Sequence, residues 1–311
     1  MSESVHPPEW HAKRSKGIGG SDAGVLMGSP YSSPFQLWRQ KTGRVQPDVS
    51  DTEAMYWGRE LEDKVARRYC EVTGRKVRRM PHVASKVHPF MIGNIDRQIV
   101  SDGRGPGVLE VKTSGWNDVT GEGELPDHYF AQFQHYLAVT GYSWGSFAFL
   151  VNGQRFRTFD LEADRRYQET LIDVERRFWE YVQTDTPPPV EANDCDMLVS
   201  MYPKDDGSVV TIDDPEFAAL VAEFHLARAE KRDIEAKEKA FKAVIQARIG
   251  TAQAIELPGF GMVTYKSTAP VLKEVVDTEA LKADGLWDKY SRTDSIPGHR
   301  RLLVKPMKAH A

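Results

Sequence analysis

The sequence predicts an α/β (α+β) fold, with a central mixed β-sheet flanked by helices and a helical C-terminal extension. Short strand-like runs alternate with helical patterns through the first part of the chain, and one long helical pattern dominates residues 213–249. The segment "TPPPV" (186–190) interrupts both patterns. We therefore predict two domains, 1–190 and 191–311.

The composition is that of an ordinary globular protein of 311 residues, with 40% hydrophobic and 28% charged residues. No apolar run approaches the ~20 residues that a membrane helix needs, and the N-terminal segment lacks the apolar stretch of a secretory signal. Two cysteines, Cys70 and Cys195, are too few for a four-cysteine zinc or iron–sulfur site. A cytoplasmic location is the expectation. The net charge of −4 does not itself indicate nucleic-acid binding.

The glycine-rich stretch "GIGGSDAGV" (17–25) predicts a tight turn into a helix over 21–28, with Ser21 as the N-cap. It does not fit the phosphate-binding motifs of nucleotide cofactors. A Walker loop requires a lysine after the last glycine, and Asp22 occupies the third glycine position of the dinucleotide motif. Two interpretations stay open: an anion site at the start of a helix, or an ordinary capped helix.

The other elements follow from hydrophobic spacing and from glycine or proline boundaries. Asn152-Gly153 predicts the turn of a β-hairpin between two strand-like runs. The remaining predictions are a short helix ending at Gly43, helices over 53–74, 127–141, 163–183 and 213–249, strands within 76–101, and strands at 108–113 and "FGMVTYK".

The strand "VLEVKT" (108–113) carries the sharpest chemical signal. Its alternation places Glu110 and Lys112 on one face, which is either an internal ion pair or part of a site. Asp96 in "GNIDR" lies on the other arm of the predicted hairpin, and two adjacent carboxylates repel each other unless a cation binds. Oxygen ligands favour Mg²⁺ or Mn²⁺. Glu62, beside the apolar face of its helix, is a third candidate acid.

An Asp followed by Glu-x-Lys on a hairpin is the signature of the PD-(D/E)XK nuclease core, which resembles that of restriction endonucleases. Several further segments, in order, resemble the YqaJ-like viral recombinase family, relatives of the phage lambda exonuclease. The matching segments cover roughly residues 10–145 and are "GIGGSDAGVLMGSPYSSPFQLWRQKTG", "YWGRELEDKVARRYCEVTG", "GNIDR", "LEVKTS" and "YFAQFQHYLAVTG".

This resemblance implies a Mg²⁺-dependent exonuclease that digests one strand of linear duplex DNA in the 5′→3′ direction and leaves 3′ single-stranded overhangs for recombination. Glu62, Asp96 and Glu110 would be metal-binding acids, together with the main-chain carbonyl of Val111. Lys112 would be the catalytic lysine. Two ions are expected, with Mn²⁺ as an alternative to Mg²⁺.

The same resemblance implies further roles and partners. Gln132 and Tyr136 match a Gln-x-x-x-Tyr pattern of RecB-like nucleases, Gln132 as a catalytic residue and Tyr136 as a supporting one. Arg14 and Ser21 would bind the 5′-phosphate of a DNA end. A phage- or prophage-encoded protein acting in the bacterial cytoplasm is expected, with a single-strand annealing recombinase as partner and a trimeric ring as its assembly.

Two other functions remain open from the residues. One is another PD-(D/E)XK nuclease, either an endonuclease or a RecB-like enzyme, and the other is a non-catalytic DNA-binding recombination accessory. Several aromatic residues are either core residues or stack on a DNA end. They are Trp10, Tyr31, Phe35 and Trp38 around the glycine-rich stretch, and Trp116 after the charged strand.

Overall fold

A computed structural model describes residues 14–45, 52–100, 102–115, 125–271, 273, 275–293, 302 and 304. The chain divides into two compact units between Ser200 and Met201. The predicted domain division after residue 190 stays a prediction. None of the helices formed by the described residues is both long and apolar enough to cross a membrane.

The first unit contains a five-stranded mixed sheet in the order β1-β4-β5-β6-β7. β5 and β6 run parallel, and the other neighbours in this sheet are antiparallel. β2 and β3 form a separate antiparallel pair. The predicted α/β architecture with a central mixed sheet is confirmed. The strands are β1 (Val77–Arg78), β2 (Val83–Ala84), β3 (Ile92–Gly93), β4 (Arg97–Ile99), β5 (Gly107–Ser114), β6 (Trp144–Val151) and β7 (Arg155–Glu162).

Helices flank this sheet, and their ends agree with the sequence signals. Gly74 and Gly141 adopt φ values of 72° and 73°, the left-handed conformation that ends the third and fourth helices. The helices are α1 (Gly20–Leu26), α2 (Pro34–Lys41), α3 (Glu53–Thr73), α4 (Asp127–Thr140), α5 (Arg165–Gln183) and α6 (Cys195–Met201), with a 3₁₀ turn at Ala192–Asp194.

β5 is covered on both faces, which explains how its charged residues become buried. Leu109 and Val111 pack in one core cluster with Tyr69 of α3. Val108 packs in the other cluster with Phe133 of α4. Alternation along the strand therefore places Glu110 and Lys112 on the α4 side of the sheet. The β6–β7 hairpin is confirmed, because Asn152 and Gly153 have φ values of 50° and 68°, as a type I′ turn requires.

The glycine-rich stretch differs from its predicted capping. Ser21 is not the N-cap: Gly19 occupies that position, and Asp22 accepts a hydrogen bond from the Gly19 N–H at 2.9 Å. A Cβ on Gly20 would lie 2.6 Å from the ring of Tyr136, so only glycine allows α1 to approach α4 this closely. The helix therefore begins earlier than predicted, at this close approach.

The aromatic residues around this stretch are mainly core residues. Phe35 and Trp38 are buried, whereas Tyr31 is 78% exposed. Trp10 and Trp116 lie outside the described residues.

The second unit is built around one long helix, α7 (Pro215–Ile249), which has 35 residues. Asp214 caps its first turn by accepting hydrogen bonds from the N–H groups of Glu216 and Phe217, and Gly250 follows its last residue. The helical pattern predicted over 213–249 is thus confirmed. The remaining elements are the antiparallel pair β8 (Ala254–Leu257) and β9 (Gly261–Thr264), and the short helices α8 (Thr278–Ala283) and α9 (Trp287–Tyr290).

Candidate active site

A cleft of about 480 Å³ in the first unit brings together every residue that the sequence predicts for the site. Its walls come from α1, α3, α4, β5 and the segment before β4. The predicted residues that line it are Arg14, Ser21, Glu62, Asp96, Glu110, Val111, Lys112, Gln132 and Tyr136. Proximity is established here for all of them, and their chemical roles stay predictions.

Asp96 and Glu110 form a carboxylate pair across the β4–β5 hairpin. Arg97 pairs with Leu109 in the register, so Asp96 and Glu110 are the next opposing positions. Loss of solvent and repulsion from Glu110 raise the pKa of Asp96 well above its ordinary value, although the Val111 N–H donates to its Oδ2 at 2.8 Å. Burial likewise raises the pKa of Glu110. Both raised pKa values mean that the ionised carboxylates are destabilised here and that a nearby positive charge would stabilise them.

Lys112 provides one positive charge beside this pair, and Gln132 connects Lys112 to Glu110 by hydrogen bonds. The Lys112 ammonium lies 2.9 Å from Glu110 Oε1 and donates to Gln132 Oε1 at 3.0 Å. Gln132 Nε2 in turn donates to Glu110 Oε1 at 2.7 Å and to the Tyr136 hydroxyl at 3.2 Å. Burial disfavours the ammonium, but Glu110 and Asp96 outweigh it and raise the pKa of Lys112.

Glu110 Oε2 is buried and has no hydrogen-bond partner among the described residues. A buried carboxylate oxygen without a donor is costly, and a cation would remove that cost. Asp96, Glu110 and the Val111 carbonyl offer only oxygen atoms, the ligands that Mg²⁺ and Mn²⁺ prefer. The donor set at this position therefore fits the predicted metal.

Glu62 lines the cleft but has a different partner. Arg97 Nη1 donates to Glu62 Oε1 at 2.5 Å, and the same guanidinium also contacts Asp63 and the main-chain carbonyl of Asp96. Across the part of the chain that the structure describes, no three acidic, histidine or cysteine side chains are grouped to hold one metal ion. The predicted three-acid set is thus present in the cleft without being assembled into one cluster.

Arg14 and Ser21 form a polar corner at the other end of the lining. Arg14 Nη2 donates to Ser21 Oγ at 2.8 Å and lies 3.4 Å from Asp22 Oδ1. Lys41 is buried behind them, 2.5 Å from Asp22 Oδ2, and donates to the main-chain carbonyls of Arg14 and Gly17 at 2.7 Å. Lys41 thereby ties the glycine-rich segment to α2 and fixes where Arg14 and Ser21 lie.

Sequence reasoning missed Lys41, Arg59 and Arg97. Lys41 gave no signal, because its contacts lie 19 to 27 residues away along the chain. Arg59 lines the cleft three residues before Glu62, so the helical spacing of α3 was a usable signal. Arg97 directly follows Asp96, and a charged residue at a buried strand position was a second usable signal.

A fully buried ion pair lies behind the cleft on α4. His135 Nδ1 is 2.7 Å from Glu175 Oε1, and His135 Nε2 donates to the main-chain carbonyl of Ile92 at 2.9 Å. Burial opposes the charged imidazole, yet Glu175 outweighs it and the pKa of His135 is raised; burial raises the pKa of Glu175 as well. The pair joins α4 and α5 to β3, the strand that leads into Asp96.

This ion pair predicts how stability depends on its two members. His135→Met leaves Glu175 buried without a partner and is expected to cost about 3–5 kcal/mol of unfolding free energy, whereas His135→Met/Glu175→Met costs less. Urea unfolding of the two variants measures this. A double variant less stable than the single one would contradict the assignment of a desolvated ion pair.

The same pair predicts a pH dependence with a defined sign. Both folded-state pKa values are raised, so the folded protein binds more protons, and stability is lost as pH rises through the folded pKa of His135. Asp22 and His88 also face the pair and act on these pKa values. The unfolding free energy should fall as pH rises from about 6.5, the ordinary pKa of histidine, through the raised folded-state pKa of His135, and it should fall less in the double variant.

Comparison with known proteins shows which family and which solved structures this chain is similar to. Residues 9–143 match the family described as the YqaJ-like viral recombinase domain. The chain is 29% identical over 314 aligned residues to the uncharacterized protein YqaJ of Bacillus subtilis (strain 168), covering 96% of this chain and 93% of that protein.

Among solved structures, the chain is similar to an alkaline exonuclease, LHK-Exo, from Laribacter hongkongensis. The two are 21% identical with a TM-score of 0.48, and the match covers 58% of this chain and 94% of the other. A phage-related exonuclease from Haemophilus somnus 129PT is 11% identical with a TM-score of 0.38, covering 57% of this chain and 99% of the other.

Proposed function

We propose that the protein is an exodeoxyribonuclease, because residues 9–143 match the YqaJ-like viral recombinase domain that its sequence motifs resemble. It hydrolyses one strand of linear double-stranded DNA in the 5′→3′ direction, requires Mg²⁺, and leaves 3′ single-stranded overhangs for phage-type homologous recombination. One observation carries the proposal. A repelling carboxylate pair, a half-buried lysine and an arginine–serine corner line the same cleft.

The metal would be held at the oxygen-rich end of the cleft. Asp96, Glu110 and the Val111 carbonyl would bind one ion, and Glu62 would reach a second after leaving Arg97. Bound Mg²⁺, or Mn²⁺ in its place, would supply a nucleophilic water and Lewis-acid stabilisation of the charged phosphate. The unpartnered Glu110 Oε2 is the feature that most directly supports this assignment.

The protein's own groups position the reacting phosphate and water. Lys112 either neutralises the phosphate or orients the attacking water, and both roles fit its place beside Glu110. Gln132 contacts Glu110 and Lys112 together, so it fixes their separation. The Tyr136 hydroxyl accepts from Gln132 and keeps its own proton to donate, since burial raises its pKa well above 10.

Arg14 and Ser21 would bind the 5′-phosphate of the DNA end, and this predicts an end preference. Arg14→Gln should reduce the preference for phosphorylated over unphosphorylated 5′ ends by about ten- to a hundredfold, because a hydrogen bond to a charged group contributes about 1.5–3 kcal/mol. Digestion rates on the two kinds of end measure it. Lys16→Gln is the matched control, since Lys16 is exposed and carries the same charge. An unchanged preference in Arg14→Gln would contradict the phosphate role.

The remaining proposals concern the biological setting. The protein would act in the bacterial cytoplasm as a phage or prophage product, pass its 3′ overhang to a single-strand annealing recombinase, and assemble as a trimeric ring. These proposals follow from the match to the recombinase family.

Labelled DNA tests the proposed reaction. Linear duplex labelled at its 5′ ends should release the label early as mononucleotides, while a 3′ label stays in long strands and closed circular duplex stays intact. Early release of the 3′ label would contradict the polarity. Cutting of the circle would favour an endonuclease, and DNA binding without cleavage in Mg²⁺ or Mn²⁺ would favour a non-catalytic accessory.

A further inference from the structure

The long helix α7 of the second unit carries five of its seven lysine and arginine residues on one side. At about 100° per residue, its basic side chains at spacings of three, four and seven fall within an arc of about 100°. We name this set the basic stripe: Arg228, Lys231, Arg232, Lys239 and Lys242. Four of the six acidic residues of the helix lie on the other side, together with the two remaining basic residues, and Glu238 borders the arc. The four are Glu216, Glu223, Glu230 and Asp233.

The side chains of the basic stripe are exposed along its whole length. Arg228 donates to the main-chain carbonyl of Leu302 at 3.3 Å, and Lys231 lies 3.7 Å from Glu235, the one acid within the arc. Both contacts are long and solvent-exposed, so they contribute little to stability. The concentration of cations on one side of the helix is therefore not explained by the packing of this unit.

We propose that the basic stripe binds the phosphate backbone of the DNA on which the first unit acts. The inference rests on the proposed nuclease function and adds a second DNA-binding surface in the other unit. From Arg228 to Lys242 the helix rises about 21 Å, at roughly 1.5 Å per residue. That length follows about six phosphates of one strand, which are spaced roughly 3.4 Å apart along the duplex axis.

The charge of the whole chain strengthens this assignment. The protein carries a net charge of −4, and its cleft contains three carboxylates, so DNA must be held by local basic surfaces. The basic stripe combines lysine with arginine along the helix, and Arg228, Lys231 and Arg232 also line a shallow cavity of about 390 Å³. Such a surface fits a long polyanion read through its backbone and confers no base specificity.

The helix also provides a matched control. Lys237 and Arg248 are exposed on the same helix, about 180–200° around from Arg228. We call Arg232→Gln/Lys239→Gln the stripe variant and Lys237→Gln/Arg248→Gln the control variant. The two variants remove the same charge from opposite sides of the helix. Circular dichroism establishes that both full-length variants keep the helix.

Binding is measured by fluorescence anisotropy in EDTA, where no hydrolysis interferes, with 30-base-pair duplex and 30-nucleotide single-stranded DNA across a range of KCl concentrations. The stripe variant should bind DNA about ten- to a hundredfold more weakly at ~0.1 M salt, and its log–log salt slope should be smaller by about 2. The control variant should stay near wild type. Comparison of the two DNA forms shows whether duplex or the exposed strand occupies the stripe.

Equal affinities and salt slopes for the stripe and control variants would overturn the proposal. Wild-type DNA binding by the stripe variant, together with lost binding of an acidic protein partner, would also overturn it and assign the surface to that partner. Because binding is read without metal, these results are independent of whether the wild-type protein digests DNA. Failure of digestion alone counts against the proposed function and leaves the DNA-binding result standing.

Discussion

Replacing Glu110 with glutamine is expected to slow the digestion of linear duplex DNA by at least about a thousandfold while leaving DNA affinity within about threefold of wild type. The change keeps the side-chain shape but removes the charge that would bind the proposed cation. A thousandfold loss corresponds to about 4 kcal/mol of transition-state stabilisation, a reasonable share for metal-assisted hydrolysis. Single-turnover digestion and anisotropy binding measure the two effects separately.

The control for this variant is Glu169→Gln, which removes the same charge from an exposed position on α5. It should digest DNA at the wild-type rate. If Glu110→Gln keeps a rate within tenfold of wild type, the carboxylate pair is structural and the site assignment is wrong. If both digestion and binding are lost while the protein stays folded, Glu110 acts in DNA binding instead of in the chemical step.

Replacing Lys112 with methionine is the second change with a large expected effect. Digestion should fall by about a hundred- to ten thousandfold, because in the proposed mechanism Lys112 supplies a preorganised positive charge to the reacting phosphate. Folding stability should also fall, since Glu110 loses the ammonium 2.9 Å away and, within the described part of the chain, keeps only Gln132 as a donor. Breaking a buried ion pair typically costs about 3–5 kcal/mol.

Lys112→Arg separates these two consequences. Arginine keeps the charge that compensates Glu110 but replaces a compact ammonium by a planar fork. Stability should therefore stay close to wild type, while digestion remains reduced. Digestion by Lys112→Met at the wild-type rate would contradict any role for Lys112 in the reaction.

The local parts of the fold were accessible from the sequence because their signals are local. The alternation in β5 placed Glu110 and Lys112 on one face, and the turn glycines fixed the ends of α3 and α4. The hairpin geometry that opposes Asp96 and Glu110 followed from the two strand-like runs and the turn between them. These features needed only residue spacing and backbone preference.

The tertiary partners were not accessible in the same way. Arg97 contacts Glu62 across 35 positions of sequence, and His135 contacts Glu175 across 40. A single sequence offers no means of pairing such residues. The predicted cap at Ser21 was wrong for a related reason: the start of α1 is set by the close approach of Gly20 to Tyr136 on α4, a distant contact.

The glycine-rich stretch acquires a defined role from that contact. Its glycines let the chain pass close to β3 and α4: a Cβ on Gly17 would lie 2.6 Å from the Phe90 carbonyl oxygen. Arg14 and Ser21 are thereby placed at the rim of the same cleft that contains Glu110. The phosphate-binding function proposed for this region rests on those two side chains.

Metal removal is the measurement that tests the central claim most directly. Wild-type protein is incubated with 5′-phosphorylated linear duplex in Mg²⁺, in EDTA, and in EDTA followed by excess Mg²⁺ or Mn²⁺, and released nucleotides are quantified. Release should occur in Mg²⁺, stop in EDTA and return when either ion is added back, because in the proposed mechanism the Asp96–Glu110 pair contacts the phosphate through a bound cation. Undiminished release in EDTA, or no release in Mg²⁺, would contradict the metal-dependent nuclease site described here.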